Sequence, residues 1–225
     1  MIENSKVVAF DLDGTLLDSA PDITEALNYV LIHNNLKKVS IKDVKNLIGS
    51  GAKALINDSF SKQGAYAKNL DELTNLFLDK YKKCFKERTR LFPHTKTLLK
   101  NLKKKNYEII LVSNKPEYYS KELLGHFKIS KYFSYISGGD TFKYKKPDSR
   151  HLKLAINKAG ITNCDCIFIG DSKFDLQCAN NSKIPCILLT HGYSNIDIKK
   201  LGAFKIIDCL SHVSDIVDKY FQSRY

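Results

Sequence analysis

Two aspartates one residue apart, Asp11 and Asp13, close the first apolar run of the chain, Val7-Val8-Ala9-Phe10-Asp11-Leu12-Asp13-Gly14-Thr15. Side chains at i and i+2 of a strand share a face, so both carboxylates are expected to converge on one point. Two carboxylates at short range repel unless a cation lies between them or one keeps its proton. The pair points to a divalent metal and to acid–base chemistry.

Positioning such a pair takes a sheet. Short runs rich in Val and Ile, at 7–12, 108–113, 135–137, 166–170 and 186–189, alternate with helical candidates at 95–105, 116–127, 147–159 and 172–181. A last short strand at 205–207 and a helix at 213–221 follow. This alternation predicts an α/β fold built on a parallel sheet. Parallel strands all end at one edge, where ligands bind. That edge would collect Asp11 and Asp13, then Ser113-Asn114-Lys115, then Lys145-Lys146-Pro147, then Asp171-Ser172 with Asp175 close behind. Carboxylates, a hydroxyl and a lysine suit phosphoryl transfer from a monoester. A carboxylate nucleophile splits hydrolysis into two easier steps through an acyl-phosphate, and oxygen ligands suit Mg²⁺.

One stretch breaks the alternation. Residues 19–85 show only helical periodicity, with Ile23, Ala26, Leu27 and Val30, then Leu73, Leu76, Phe77 and Cys84, near one face. Ser19 with Asp22, Ser40 with Asp43 and Asn69 with Glu72 each read as an N-cap followed by an acid three residues on. The stretch is expected to form a separate helical unit, bounded near 17–19 and 85–92. Within it, Gly49-Ser50-Gly51-Ala52-Lys53-Ala54 fits the spacing of a dinucleotide fingerprint. That motif requires a strand before it, and 41–48 reads as a helix, so nucleotide-cofactor binding is rejected.

The chain has 225 residues, is 43% hydrophobic and carries a formal charge of +12. Lysine clusters at 80–86, 103–105 and 143–146 raise the question of nucleic acid. The excess is spread along the whole chain, and no paired aromatic–basic motif stacks bases, so no nucleic-acid partner is expected. No apolar run is long enough to span a bilayer. The amino-terminal stretch lacks the apolar segment of a signal peptide, and the expected location is the cytoplasm. Six cysteines without zinc-type spacing are then expected as free thiols.

Phe10-Asp11-Leu12-Asp13-Gly14-Thr15-Leu16, Ser113, Lys146-Pro147 and Gly170-Asp171-Ser172-x-x-Asp175 resemble, in order and spacing, the four motifs of haloacid-dehalogenase-type phosphatases. The resemblance implies a Rossmann-like core from residues 1–17 and 90–225, with an inserted all-helical cap at 18–89. It implies Asp11 as nucleophile and Asp13 as the acid that protonates the leaving oxygen and then activates water. Ser113 and Lys146 would hold the phosphoryl group, with Thr15 and Asn114 as further substrate-binding residues. Lys146 is preferred to Lys145 because it immediately precedes proline. Mg²⁺ would be bound by Asp11, Asp13 (through its main-chain carbonyl), Asp171 and Asp175, the last directly or from behind the other ligands.

Within the family, 18–23, 48–52 and 190–193 resemble phosphoglycolate phosphatases. The expected reaction is therefore hydrolysis of 2-phosphoglycolate to glycolate and phosphate by a monomer or homodimer. The alternatives are a pyrophosphatase, a sugar-phosphate or nucleotide phosphatase, or a sugar phosphomutase of the same superfamily. From another class, the alternative is a catalytically idle binding module. Three features depart from the subgroup: Ser149 stands where proline is frequent, 178–182 replaces a run of small residues, and His94 follows Pro93 where glycine is common.

Overall fold

The computed structural model describes residues 5–194 and 202–224; the expectation about residues 1–4 lies outside this range. After β1 (Ser5–Phe10) the chain forms a two-residue strand β2 (Leu17–Asp18) and four helices, α1 (Ala20–His33), α2 (Ile41–Lys45), α3 (Ala52–Ser61) and α4 (Leu70–Cys84). It returns through β3 (Arg90–Leu91) and then alternates: α5 (Thr95–Lys104), β4 (Glu108–Val112), α6 (Glu117–His126), β5 (Tyr135–Ser137), α7 (Ser149–Lys158), β6 (Cys164–Gly170) and α8 (Lys173–Asn181). Strands β7 (Cys186–Leu189) and β8 (Lys205–Ile207) and helix α9 (Val213–Gln222) complete it.

The six-stranded sheet has the order β5-β4-β1-β6-β7-β8 and is parallel throughout. Strand β1 pairs with β4 on one side and β6 on the other. This central place lets three strand ends converge. Both faces are covered, so the strands read as nearly unbroken apolar runs. Alternate residues go to opposite faces. Val8, Phe10, Ile109, Leu111, Ile167 and Ile169 join the core that includes α5, α6 and α9. Val7, Ala9, Ile110, Val112 and Phe168 join the core under α7 and α8. An α/β Rossmann-like architecture is therefore present. Strand β1 stops at Phe10, two residues short of expectation, because the chain turns at Asp11–Thr15.

Helix α1 packs against α4 and α2, and α4 also packs on α3. Ile23, Ala26, Leu27 and Val30 are all buried, as are Leu73, Phe77 and Cys84, whereas Leu76 is only partly so. The chain crosses between these helices and the sheet along an antiparallel ribbon, Leu17 opposite Leu91 and Asp18 opposite Arg90. Two-residue strands are too short to read from periodicity, and this pair was not expected. Of the three expected caps, Ser40–Asp43 forms the full reciprocal box. The Ser19–Asp22 pair does not. Ser19 Oγ donates to Asp13 instead, and the buried Asp22 carboxylate accepts from Arg88 N, Thr89 N and Thr89 Oγ1 beside the ribbon. Asn69 takes a left-handed conformation, makes no side-chain cap and donates to the Glu72 side chain.

His94 has φ +67°, which explains why glycine suits that position. Replacing His94 by glycine is expected to raise stability by up to about 1 kcal/mol, read as a small rise in melting temperature. Ser149 is the first residue of α7, where Asp148 caps the helix by accepting from Arg150 N. Proline is a good first helical residue but not a required one. All six cysteines are free, and no helix among the described residues is long and apolar enough to cross a membrane.

Candidate active site

Four loops at the carboxyl edge of the sheet build the site. Asp11 follows β1, and its N–H donates to Ile169 O of β6 at 2.9 Å, which continues the ladder one residue past the strand. Its carboxylate accepts from Lys146 Nζ at 2.6 Å, and the same ammonium donates to Asp175 Oδ1 at 2.6 Å. The Lys146 side chain is only 2% exposed. Asp175 sits in the first turn of α8, where Oδ2 accepts from Ser172 N at 2.9 Å and Ser172 Oγ at 2.7 Å. It is thus both a helix cap and a partner of Lys146. Asp171, at the end of β6, is fixed by Thr15 Oγ1 at 2.8 Å and Tyr193 N at 2.8 Å. A Cβ on Gly14 or Gly192 would overlap the Asp171 side chain. Glycine there is what lets the two loops close over this carboxylate.

Asp11, Asp171 and Asp175 can offer one oxygen each within 4.8 Å of one another. The Asp13 carboxylate takes a different place from the one its spacing suggested. It accepts from Ser19 Oγ at 2.5 Å and from Lys115 Nζ at 3.0 and 3.2 Å. The two carboxylates pair with different lysines, Asp11 with Lys146 and Asp13 with Lys115, because both lie in the turn beyond the strand. Both still line one cavity, with Ser113, Lys115 and Lys146 beneath and Ile23, Ile48, Leu55, Phe77 and Tyr81 of the helical insert above.

Thr15 and Asn114, expected at the substrate, also make buried contacts within the protein. The Thr15 side chain is fully buried on Asp171. The Asn114 amide accepts from Lys146 N and donates to Lys146 O and Gly49 O. It positions the Lys146 loop and ties it to the insert. Ser113 is buried at the cavity, and its Oγ accepts from Lys115 N at 3.3 Å. Lys145 Nζ donates to Ser50 O rather than to either aspartate among the described contacts. Lys115 and Tyr81 were assigned no role from sequence. The position of Lys115 right after Ser113-Asn114 was a usable signal, whereas nothing local marks Tyr81.

Burial above all pushes the Asp11 carboxyl up from 3.8 to about 6, against the pull of Lys146. Burial, then Asp175 and Asp11, push Asp171 well above the carboxylate range. Burial opposes the Lys146 charge, yet Asp11 and Asp175 more than offset it and raise its pKa. Three buried carboxylates around one ammonium leave negative charge uncompensated, and their hard oxygen donors fit a divalent cation of the Mg²⁺ type. A carboxyl whose pKa rises on folding stabilises the protein below its unfolded value and loses that contribution as pH climbs through its folded value. Metal-free protein is therefore expected to lose melting temperature between about pH 4 and 6 through Asp11. Added Mg²⁺ should raise the melting temperature more at pH 7.5 than at pH 5, and an equal gain at both would contradict this charge balance.

The family model for haloacid dehalogenase-like hydrolases matches residues 8–189, which carry all four loops. The chain belongs to that family. Among haloacid dehalogenase-like relatives, the phosphoglycolate phosphatase of Yersinia pestis is 38% identical over 213 residues, covering 93% of this chain and 90% of the relative. That of Pseudomonas putida is 35% identical over 194 residues, covering 84% and 71%. The crystal structure of a predicted phosphoglycolate phosphatase from Haemophilus somnus superposes with a TM-score of 0.86 at 29% identity, covering 96% of this chain and 99% of that one. As a member of this haloacid dehalogenase-like family, the protein is a hydrolase.

Proposed function

We propose that this chain is a phosphoglycolate phosphatase, which hydrolyses 2-phosphoglycolate to glycolate and phosphate in a Mg²⁺-dependent reaction. The observation that carries the reading is Asp11, a buried carboxylate at the end of the central strand, bonded to Lys146 and facing the same cavity as Asp13. Its similarity to the phosphoglycolate phosphatases above supports the substrate.

Asp11 Oδ attacks phosphorus, and the bond from phosphorus to the ester oxygen breaks. Asp13 donates a proton to the departing oxygen. In the second step Asp13 takes a proton from water, which attacks the aspartyl-phosphate and returns Asp11 as a carboxylate. Lys146 and the Ser113 hydroxyl face the non-bridging oxygens and stabilise charge as it shifts. Thr15 and Tyr193 hold Asp171, and Asn114 holds the backbone of Lys146, so the charged groups are fixed before substrate arrives. Mg²⁺, held by Asp11, Asp171 and the Asp13 main chain with Asp175 in support, would neutralise the phosphoryl dianion.

In this reading, 18–89 serves as a cap over a core of 1–17 and 90–225, with the β2–β3 ribbon as its hinge, and the enzyme works in the cytoplasm. The test is phosphate release from 2-phosphoglycolate, pyrophosphate, sugar phosphates and nucleoside monophosphates, with and without Mg²⁺. Preference for 2-phosphoglycolate that vanishes with chelator supports the assignment. Preference for another ester moves the substrate, and release that ignores chelator removes the metal.

A further inference from the structure

Two ammonium groups line the cavity, and only Lys146 touches Asp11. Lys115 Nζ is bonded to both oxygens of Asp13 and donates to Tyr81 Oη at 2.7 Å. It also lies 4.7 Å from the centre of the Tyr81 ring. The Lys115 side chain is 4% exposed, and Tyr81, carried by α4 of the insert, is 2% exposed. The insert's remaining wall, Ile23, Ile48, Leu55 and Phe77, is apolar. A carboxylate brought into such a space is costly unless it meets a cation.

Asp13 works at the leaving oxygen, so the ammonium bonded to it is within reach of a group attached one carbon from that oxygen. We propose that Lys115, clamped by Tyr81, is the specificity-determining residue that receives the substrate's carboxylate. This inference rests on the reading of the site as a phosphatase with Asp13 at the leaving group. The selected class is phosphate esters of 2-hydroxy carboxylates. Such a carboxylate shares the Lys115 donors with Asp13 and Tyr81. An ester of a neutral alcohol has nothing to offer Lys115 and meets only the apolar wall. Tyr81 enters the site from the insert, so the clamp is complete only when insert and sheet are together, as they are here.

The test compares kcat/KM for 2-phosphoglycolate and for ethyl phosphate, which keeps the two-carbon chain but lacks the carboxylate oxygens. Wild type, Lys115→Gln, Lys115→Arg and Tyr81→Phe are measured on both esters. Lys115→Gln is expected to lose about 100-fold on 2-phosphoglycolate, the scale for removing one partner of a buried charge pair, and less than about tenfold on ethyl phosphate. Lys115→Arg should restore part of the preference, and Tyr81→Phe should raise KM for 2-phosphoglycolate alone. Equal loss on both esters in Lys115→Gln overturns the inference and leaves Lys115 as a positioning residue for Asp13. If Lys115→Gln does not fold, an unchanged preference in both other variants overturns it. The two readings fail separately. A wild type that prefers another 2-phosphorylated carboxylate, with that preference lost in Lys115→Gln, moves the substrate but keeps the role of Lys115. A wild type that prefers 2-phosphoglycolate, with the preference intact in the variants, does the reverse.

Discussion

Asp11→Asn is expected to abolish turnover, by at least about 10⁴-fold, and at the same time to make the metal-free protein more stable at pH 7.5. The first effect follows because an amide is not a nucleophile toward phosphorus, and the other carboxylate at Lys146, Asp175, is committed to the first turn of α8. The second follows from the electrostatics. Burial has raised the Asp11 pKa to about 6, so holding it ionised at pH 7.5 costs the folded state about 2–3 kcal/mol. Asparagine removes that charge while its carbonyl oxygen still accepts from Lys146. The melting temperature should rise by several degrees, at about 2–4 °C per kcal/mol for a chain of this size. At pH 4.5 the gain should shrink, because wild-type Asp11 is then largely protonated itself. Calorimetry at both pH values, with chelator, checks this. A variant that is no more stable than wild type at pH 7.5 would show that Lys146 already compensates the carboxylate.

Lys146→Met is expected to do the opposite to stability and comparable harm to catalysis. Lys146 is the cation that Asp11 and Asp175 share. Its loss leaves three neighbouring buried carboxylates with no ammonium among them. Breaking a buried pair by removing one partner costs about 3–5 kcal/mol. Proton uptake by Asp11 and Asp171 keeps the figure at the lower end, so the metal-free melting temperature should fall by about 6–12 °C. Mg²⁺ should recover part of that loss, since the carboxylates are then the better ligands for it. Turnover should drop by about 10³-fold, the scale for removing one charge-stabilising donor. An unchanged melting temperature would mean that the carboxylates are compensated by something other than this lysine.

Both expectations involve residues legible in the chain before any fold was known. Asp11, Lys146 and Asp171 each follow an apolar run or precede a proline, and strand periodicity together with parallel topology places such positions at one edge. Local pattern is enough there because the sheet does the gathering. The helix-cap reading of Ser19 and Asp22 failed for the same kind of reason. A three-residue spacing describes what neighbours in sequence can do, whereas Asp13 and the Arg88–Thr89 backbone compete for those side chains from across the fold. The internal partners of Thr15 and Asn114 were likewise not legible in the sequence, since buried polar groups are taken up by whichever partner the packing brings.

By itself, then, the sequence determined the parallel sheet, the helical insert and which carboxylates and lysine meet at the strand ends. Those follow from alternation, helical period and strand order, all of which are local or topological. Only the tertiary structure decided that Asp11 and Asp13 have separate lysines, that Asn114 and Thr15 serve the scaffold, and that Tyr81 of the insert reaches Lys115. These pairings join residues 32 to 156 positions apart. Burial makes an unpaired charge expensive, and the partner that relieves it is the one that the packed chain brings within hydrogen-bond distance.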